Sequence, residues 1–197
     1  RKNVESILSG SNFALTTLKA GIIVGSGSAS FEIIRDLVEK LPIMITPRWL
    51  KTKCQPIAIR NVVEFLIGVI GRQDTYNQSY DIGGPDILTY KEMLMRFAKV
   101  RKLKRRIFIV PIMTPKLSSY WLYFVTSTSY ALAQNLVNSM KIEVICKPNN
   151  LADLLGITYI DYDSSIRLAF DKISQNQVLS SWKDAQTSDI FSTGFTK

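Results

Sequence analysis

The chemistry open to this chain is limited first by a missing residue type, because none of its 197 residues is histidine. A Ser-His-Asp or Cys-His nucleophile system and every His-ligated metal site are therefore excluded within it. Catalysis here would use Tyr, Lys, Arg, Asp, Glu, Ser or Cys. Cys54 lies beside Lys51 and Lys53, which would lower its pKa, but no base stands near it in sequence. Cys54 and Cys146 are far apart without metal-ligand spacing, so the sequence predicts free thiols and no metal site.

Residues 25–28, Gly-Ser-Gly-Ser, are the segment whose composition most resembles a ligand loop. They follow an apolar run and precede a helical pattern, where backbone N–H groups could approach a phosphate. The third glycine of a G-x-G-x-x-G motif is absent, because position 30 is Ser, and no Walker lysine follows. The pattern therefore favours a loop that closes on a substrate, or on a cofactor bound by another segment, over a pyrophosphate loop.

A basic run from Lys99 to Arg106 accounts for much of the net charge of +9. A solvated helix end, whose cations favour the negative pole of the helix dipole, is the preferred interpretation. An anionic membrane surface remains an alternative. Nucleic-acid binding is not predicted, because no interleaved aromatic residues or recognition helix accompany the run. The apolar, aromatic residues 113–133 are broken by Pro115, so we expect the wall of a substrate pocket there, with an interfacial anchor as the alternative.

The pattern of apolar residues predicts alternating strands and helices, which favours a mixed or parallel sheet. The apolar pattern predicts one strand, buried on both faces, over residues 13–24. Residues 43–53, with one proline just before them and one inside, are predicted to be irregular. Short strands are predicted at 55–59, 80–82, 107–111 and 142–145. Helices are predicted after residue 28, after Asn61 as a cap, after a capping box at 89–92, and around residues 166–173, where Asp161 is read as a cap.

The organisation predicted from these patterns has three parts. Residues 1–40 form a late helix-strand-helix unit, residues 41–175 a substrate-binding region, and residues 176–197 a polar tail or linker. The chain opens at Arg1 within a helical pattern, so we expect an internal or truncated segment. No signal or transit peptide is visible, and the expected location is the cytoplasm.

Three ordered segments, at residues 17–25, 55–62 and 80–90, resemble the C-terminal half of the atypical extended short-chain dehydrogenases/reductases. The chain is similar to the NAD(P)-binding, nucleoside-diphosphate-sugar epimerase-like members of that family. This resemblance implies an α/β fold, with the C-terminal part of a Rossmann-type parallel sheet domain plus a small α/β substrate-binding region. It also implies NAD or NADP as the cofactor, and hydride transfer to or from a small-molecule substrate of unknown identity, for which we expect a hydrophobic compound.

The sequence departs from the family's pattern at its catalytic and nucleotide-binding motifs. The Gly-rich dinucleotide loop is absent, and no Tyr is followed four residues later by Lys. Arg1 stands where the family carries the catalytic Lys, and Asn61 where it commonly carries Asp. These departures support an alternative hypothesis, a non-catalytic NAD(P)H-sensing or scaffold protein with a degenerate dehydrogenase fold.

The site residues implied by the resemblance fall into two groups. Those expected to bind the cofactor are Arg1, Ala20, Gly21, Gly25, Ser26, Gly27 and Ser28. Those expected to bind the substrate are Arg48, Trp49, Tyr120, Trp121 and Phe124. The catalytic residues, the substrate and the oligomeric state are left open.

Overall fold

The computed structural model describes residues 7, 8, 10, 13–110 and 138–175. Within these ranges strands and helices alternate. The strands are β1 (Thr17–Ala20), β2 (Ile23–Val24), β3 (Ile43–Thr46), β4 (Lys53–Cys54), β5 (Ile57–Ala58), β6 (Ser79–Ile82), β7 (Leu88–Thr89) and β8 (Arg106–Ile109). The helices are α1 (Ala29–Lys40), α2 (Ile59–Val69), α3 (Tyr90–Val100), α4 (Leu151–Leu155) and α5 (Tyr162–Ser174), with 3-10 turns at Arg48–Lys51 and Gln73–Thr75.

The strands associate in pairs, and most of these pairs are parallel. β1 pairs with β6, β2 with β5 and β3 with β8 in parallel, whereas β4 and β7 are antiparallel. Parallel neighbours need a long crossover connection, which the intervening helices supply. The predicted α/β class with parallel pairing is therefore confirmed.

The prediction of a single doubly buried strand over residues 13–24 is wrong. The chain bends at Gly21 and Ile22, so β1 and β2 are separate and pair with different partners. Of their residues, only Val24 is buried. Gly21 lies at the bend because its backbone is closely approached: an added Cβ would come within 2.8 Å of Val144 Cγ1.

The prediction that residues 43–53 are irregular is also wrong. Met44 and Thr46 are buried while Ile43 and Ile45 are exposed, which is the alternation of a half-buried strand. Proline occurs at positions 42 and 47, on either side of β3 rather than inside it, so the ladder with β8 is not interrupted. At residues 142–145, in contrast, the predicted strand is reduced to an isolated bridge between Val144 and Cys54.

Three of the four predicted helix starts are confirmed, including that of α1 directly after residue 28, and one is wrong. Thr89 and Glu92 form the predicted capping box at the start of α3, and the Asp161 carboxylate caps α5 by accepting from Ser164 N. Helix α2 begins at Ile59, two residues before the predicted cap Asn61. Asn61 is instead fully buried in the first turn of α2, where its side chain links the helix to a distant segment.

The apolar side chains form two cores. The larger lies between α1, α3 and α5, where the rings of Phe31, Phe97 and Phe170 contact one another at centroid distances of 5.5–5.7 Å. The smaller core lies between β5, β6, α2 and α4, and its buried residues are Ile57, Val62, Phe65, Ile82, Leu151 and Ala152. The predicted division of the chain at residue 40 stays a prediction, and the tail at 176–197 lies outside the described residues.

Part of the basic run is used in packing the end of α1. Arg105 donates to the carbonyl oxygens of Val38 and Glu39, in the last turns of that helix. Arg101 pairs with the Glu39 carboxylate at 3.2 Å, and its guanidinium lies 4.0 Å from the Phe170 ring centroid. These contacts place cations at the C-terminus of α1, where they are favourable, rather than only at the end of the helix that precedes the run.

No helix in the described ranges is both long enough and apolar enough to cross a membrane. The aromatic residues around 113–133 lie outside those ranges, so their predicted role as a pocket wall stays a prediction.

Candidate functional site

A cavity of about 400 Å³ opens at the carboxyl end of β1. Helix α1 forms one wall of the cavity. The 3-10 turn at Arg48–Lys51 and helix α3 form another, and residues 139–144 close a third side. None of the described residues that line it carries a charge; they are Ala20, Gly21, Ile22, Ser30, Ile33, Ile34, Leu37, Trp49, Leu50, Tyr90, Leu94, Ser139, Met140 and Val144. We call this space the first cavity.

Trp49 is held in the wall of the first cavity by the 3-10 turn that follows β3. Pro47 precedes the turn, and Thr52 N closes it by donating to Trp49 O at 2.9 Å. The Trp49 side chain is only 8% exposed, and its Nε1 has no hydrogen-bond partner within the described part of the chain. Buried N–H groups are nearly always paired, so this atom is an exception that requires a reason.

Tyr90 packs edge-on against Trp49, with ring centroids 6.0 Å apart and an interplanar angle of 87°. The capping box places Tyr90 at the first position of α3, and its backbone N–H donates to Thr52 O at 3.3 Å. Burial raises the pKa of the Tyr90 hydroxyl above its ordinary value. The phenol therefore stays protonated near neutral pH, and it cannot act there as a base.

The α1 wall is oriented by Ser28, the residue that caps the helix. Its hydroxyl accepts from Phe31 N at 3.2 Å and donates to Ile23 O at 3.0 Å. The first bond satisfies an amide of the first turn, and the second ties the helix start to β2. Together they position Ser30, Ile33 and Leu37 along the cavity.

The opposite side is closed by a loop that docks on β4 and on the residue after it. Val144 N donates to Lys53 O at 3.1 Å, and Gln55 N donates to Val144 O at 3.0 Å. The Gln55 side chain fixes the same loop, since Cys146 N donates to its Oε1 at 3.0 Å and its Nε2 donates to Gly84 O at 2.7 Å. Val144 is thereby held over Gly21.

A second cavity, of about 640 Å³, lies at the carboxyl ends of β2 and β5. The first turn of α2 and one side of α5 enclose it. Its lining includes charged residues of both signs, namely Arg60, Glu64, Asp171 and Lys172. We call this space the second cavity.

The structure divides the predicted site residues between these two places. Ala20, Gly21 and Trp49 line the first cavity together, whereas Gly25 and Ser26 line the second. Gly27 adopts a left-handed turn with φ of 82° before the Ser28 cap, and Arg48 is exposed. Arg1, Tyr120, Trp121 and Phe124 lie outside the described residues. Their binding roles stay predictions.

Two residues of the loop at 25–28 take part in packing and capping the neighbouring helices. A Cβ at Gly25 would come within 2.4 Å of Ile59 Cγ2, so this glycine accommodates the first residue of α2. The Ser28 hydroxyl is already used by the helix cap.

Cys54 and the ion pairs of Arg96 serve packing and the joining of helices. Cys54 is fully buried and donates from Sγ to Leu88 O at 3.3 Å. Burial raises the pKa of the Cys54 thiol to about 12, so a nucleophilic thiolate is not populated at neutral pH. Asp163 pairs with Arg96 at 2.7 Å, and Arg96 also pairs with Asp86 at 2.9 Å, which joins α3 to the start of α5.

Sequence reasoning missed the contribution of α3 and of the 139–144 loop to the first cavity. Tyr90 lies within the segment that the sequence predicted as a capping box. The spacing of the residues in that segment does not indicate which way the Tyr90 ring points. Val144 reaches the site because its loop is bonded to β4 and Gln55, and the bond between Gln55 and Cys146 spans 91 positions. Such long-range contacts leave no periodic signal in a sequence.

Among solved structures, the chain is similar to several α/β enzymes. A nucleoside-diphosphate-sugar epimerase from Staphylococcus aureus is 14% identical, with a TM-score of 0.63 over 84% of this chain and 56% of that one. An NADPH-dependent quinone oxidoreductase from Escherichia coli is 14% identical, with a TM-score of 0.64 over 86% of this chain and 60% of that one. A UDP-glucuronic acid 4-epimerase from Bacillus cereus, solved with NAD, is 9% identical, with a TM-score of 0.55 over 88% of this chain and 48% of that one.

No family model matches the chain, and no curated protein sequence matches it. The chain spans about half to three fifths of the length of the three solved structures. At these identities the likeness concerns the fold alone. The chain therefore has an α/β, Rossmann-like fold shared with NAD(P)-dependent epimerases and reductases.

Proposed function

We propose that the protein is an NAD(P)-dependent oxidoreductase or epimerase-like enzyme of the atypical extended short-chain dehydrogenase/reductase type, and that this chain provides its substrate side. The observation that carries the proposal is the first cavity, which joins Ala20 and Gly21 at the carboxyl end of β1 to the buried Trp49. Open α/β sheets bind ligands at the carboxyl ends of their parallel strands. The fold shared with NAD(P)-dependent enzymes supports the same assignment.

In this proposal the described residues bind and orient the substrate and exclude water from it. Ala20 and Gly21 border the nicotinamide end of the cofactor, and the phosphates are held by residues outside the described part of the chain. When bound, the reduced nicotinamide would supply hydride. Isoleucine and leucine side chains of α1 give the apolar wall, and Trp49 and Tyr90 give the aromatic one.

The partner in this proposal is a small-molecule substrate. The location is the cytosol, and the two free cysteines, Cys54 and Cys146, are in keeping with a reducing compartment. The proposal allows either NAD or NADP as the cofactor, because the residue that would contact the ribose and distinguish the two is not among those described.

The test is a fluorescence titration of the full-length protein with NADPH and NADH, followed by oxidation assays with quinones and nucleoside-diphosphate sugars. Cofactor binding with turnover of one substrate class is expected. Ala20→Leu would narrow the first cavity and lower turnover by at least about tenfold, since a misfit of one methylene group in a tight pocket changes transition-state binding by about that much. Leu66→Phe, an enlargement at a half-exposed position of α2 that lines neither cavity, is the control and leaves turnover unchanged.

The competing hypothesis makes a different prediction for the same assays. A non-catalytic sensor would bind NADPH without oxidising it in the presence of any acceptor, in keeping with the absence of a Tyr-x-x-x-Lys pair from this sequence. Absence of cofactor binding by the full-length protein would contradict both hypotheses.

A further inference from the structure

We propose that a surface formed by β3, β8 and the turn after α3, both basic and apolar, binds the anionic surface of a lipid bilayer. This interaction goes beyond the proposed enzyme function and does not rest on it, because the surface shares no described residue with the first or the second cavity. Anionic lipids are typical of the cytoplasmic leaflet of membranes, so the interaction is compatible with the proposed location.

The apolar part of this surface is the outer face of the β3–β8 pair. The parallel register sets Ile43 beside Arg106 and Ile45 beside Phe108. The side chains of Ile43, Ile45 and Phe108 are 56%, 53% and 55% exposed, whereas the alternate residues of β3 face the interior. Single exposed apolar side chains are common on proteins, but adjacent ones form a patch of the kind that marks protein or membrane interaction sites.

The cationic part adjoins this patch in a groove of about 570 Å³. Ile43 and Arg106 line the groove together with Lys99 and Lys104, and none of its described lining residues is acidic. Lys102 lies in the turn between these two lysines and is exposed. The apolar patch and the cations therefore meet along one border.

Four cations of this surface remain available to a partner, and they are Lys99, Lys102, Lys104 and Arg106. Within the described ranges none of the four forms an ion pair. Arg101 and Arg105 differ from them, because these two side chains bind the end of α1. Unpaired like charges repel one another, and an anionic partner relieves that repulsion.

An anionic bilayer matches both parts of the surface. Each lysine or arginine held near such a bilayer raises the affinity about fivefold, and exposed apolar side chains enter the boundary between headgroups and acyl chains. A nucleic acid would neutralise the cations through its phosphates but leave the two isoleucines in water. The position of Ile43 and Ile45 beside the cations therefore favours a bilayer.

The test is co-sedimentation of the full-length protein with lipid vesicles. One set of vesicles contains phosphatidylcholine alone, and the other contains phosphatidylserine as well. We expect binding to the second set only. This binding should weaken between about 0.1 M and about 1 M salt, because the Debye length falls from about 10 Å to about 3 Å.

The basic variant replaces the four available cations by glutamine. Its control makes the same replacement at four exposed cations elsewhere, so that both variants have the same net charge; the control positions are Lys53, Lys91, Lys147 and Arg167. The basic variant should lose at least about a hundredfold in affinity for the phosphatidylserine vesicles, and each single replacement about fivefold. The control should lose less than about threefold, since distant exposed charges are screened. An unchanged thermal midpoint shows that both variants are folded.

Ile45→Ser tests the apolar part, with Ile67→Ser as the control at a 65% exposed position of α2. Ile45→Ser should bind the phosphatidylserine vesicles about fivefold more weakly than Ile67→Ser does, because it removes one large side chain from the lipid boundary. Both variants retain residues 113–133, so that apolar segment does not account for a difference between them.

The inference is overturned if the basic variant and its control lose affinity equally, if Ile45→Ser binds like Ile67→Ser, or if the protein binds both sets of vesicles alike or neither. Binding of a DNA duplex in preference to the phosphatidylserine vesicles, unaffected by Ile45→Ser, would also overturn it and would assign the four cations to nucleic acid. None of these outcomes depends on cofactor binding or turnover, so the test of the proposed function stays separate.

Discussion

The two apolar cores of this protein differ in how completely they are filled. The larger core, around Phe31 and Phe97, borders the first cavity through Ile33 and Leu37. None of the six buried residues of the smaller core lines either of the two cavities. The larger core therefore borders empty space, whereas no buried residue of the smaller core lines either of these two cavities.

The buried polar groups of the two regions differ in the same way. Beside the smaller core, Asn61 makes three hydrogen bonds: Nδ2 donates to Glu64 Oε2 at 2.8 Å and to Thr158 O at 2.9 Å, and Oδ1 accepts from Ile160 N at 2.9 Å. Beside the larger core, Trp49 Nε1 makes none with a described residue. Hydrogen-bonded polar groups stabilise a buried region, whereas an unpaired donor contributes no such stabilisation.

The largest expected effect is the loss of stability when a leucine in each core is replaced by alanine. Leu151→Ala, in the smaller core, should lower the free energy of unfolding by about 4 kcal/mol, because a fully packed side chain leaves a new void. Leu37→Ala removes a side chain that already faces the first cavity and should cost about 2 kcal/mol. Urea denaturation of both variants checks this, and equal losses would remove the distinction between the cores.

The second-largest effect is expected at Asn61, whose hydrogen bonds we expect to stabilise the smaller core. Asn61→Ala leaves the Ile160 N–H and the Thr158 carbonyl without their partner, so the free energy of unfolding should fall by about 3 kcal/mol. Asn61→Asp keeps the acceptor but brings its carboxylate against Glu64 and the Thr158 carbonyl. Its stability should rise relative to the wild type as the pH is lowered and the new carboxyl is protonated, and a pH-independent difference would argue against this geometry.

A smaller effect is expected at the cap that orients the cavity wall. Ser28→Ala removes both hydroxyl bonds and should cost about 1 kcal/mol of stability. Ser28→Thr, which keeps the hydroxyl, is the matched control and should cost less. If both variants lose the same amount, the cap contributes nothing beyond its backbone geometry.

The smallest effect is a pH dependence at the starts of α3 and α5. Hydrogen bonds from Thr89 lower the pKa of the Glu92 carboxyl, and bonds from Ser164 lower that of Asp161. A lowered pKa in the folded state contributes stability at neutral pH that is lost as the pH falls through the folded value. We expect acidification below about pH 4 to lower the thermal midpoint by only about 1 °C per group, since both are solvent-screened. In Glu92→Gln, the part of this acid-induced fall in the thermal midpoint that comes from the start of α3 should vanish.

The sequence was sufficient for the features that depend on neighbours along the chain. The class of fold, the capping box at Thr89 and the Asp161 cap all follow from local patterns. Three local predictions failed because tertiary contacts decided them: the bend at Gly21, the strand at Ile43–Thr46 and the burial of Asn61. In each case the partner lies more than 60 positions away.

The candidate site was predicted less well than the fold, for the same reason. Ala20, Gly21 and Trp49 were selected and do share one cavity, but Gly25 and Ser26 belong to another. A Gly/Ser loop after a strand has the same composition whether its glycines approach a phosphate or a neighbouring helix. In the structure an added Cβ at Gly25 would come within 2.4 Å of Ile59 Cγ2, so this glycine makes room for a helix, and its binding role stays a prediction.

The arrangement of strands in pairs has a consequence for hydrogen exchange. Within the described ranges each strand has a ladder with one other strand, and the longest ladders join four residues, as in β1–β6 and β3–β8. Short ladders open locally at low cost, whereas amides in the α1 and α3 helices sit over the shared aromatic core. The slowest-exchanging amides should therefore lie in those helices, so that opening of the strands precedes global unfolding.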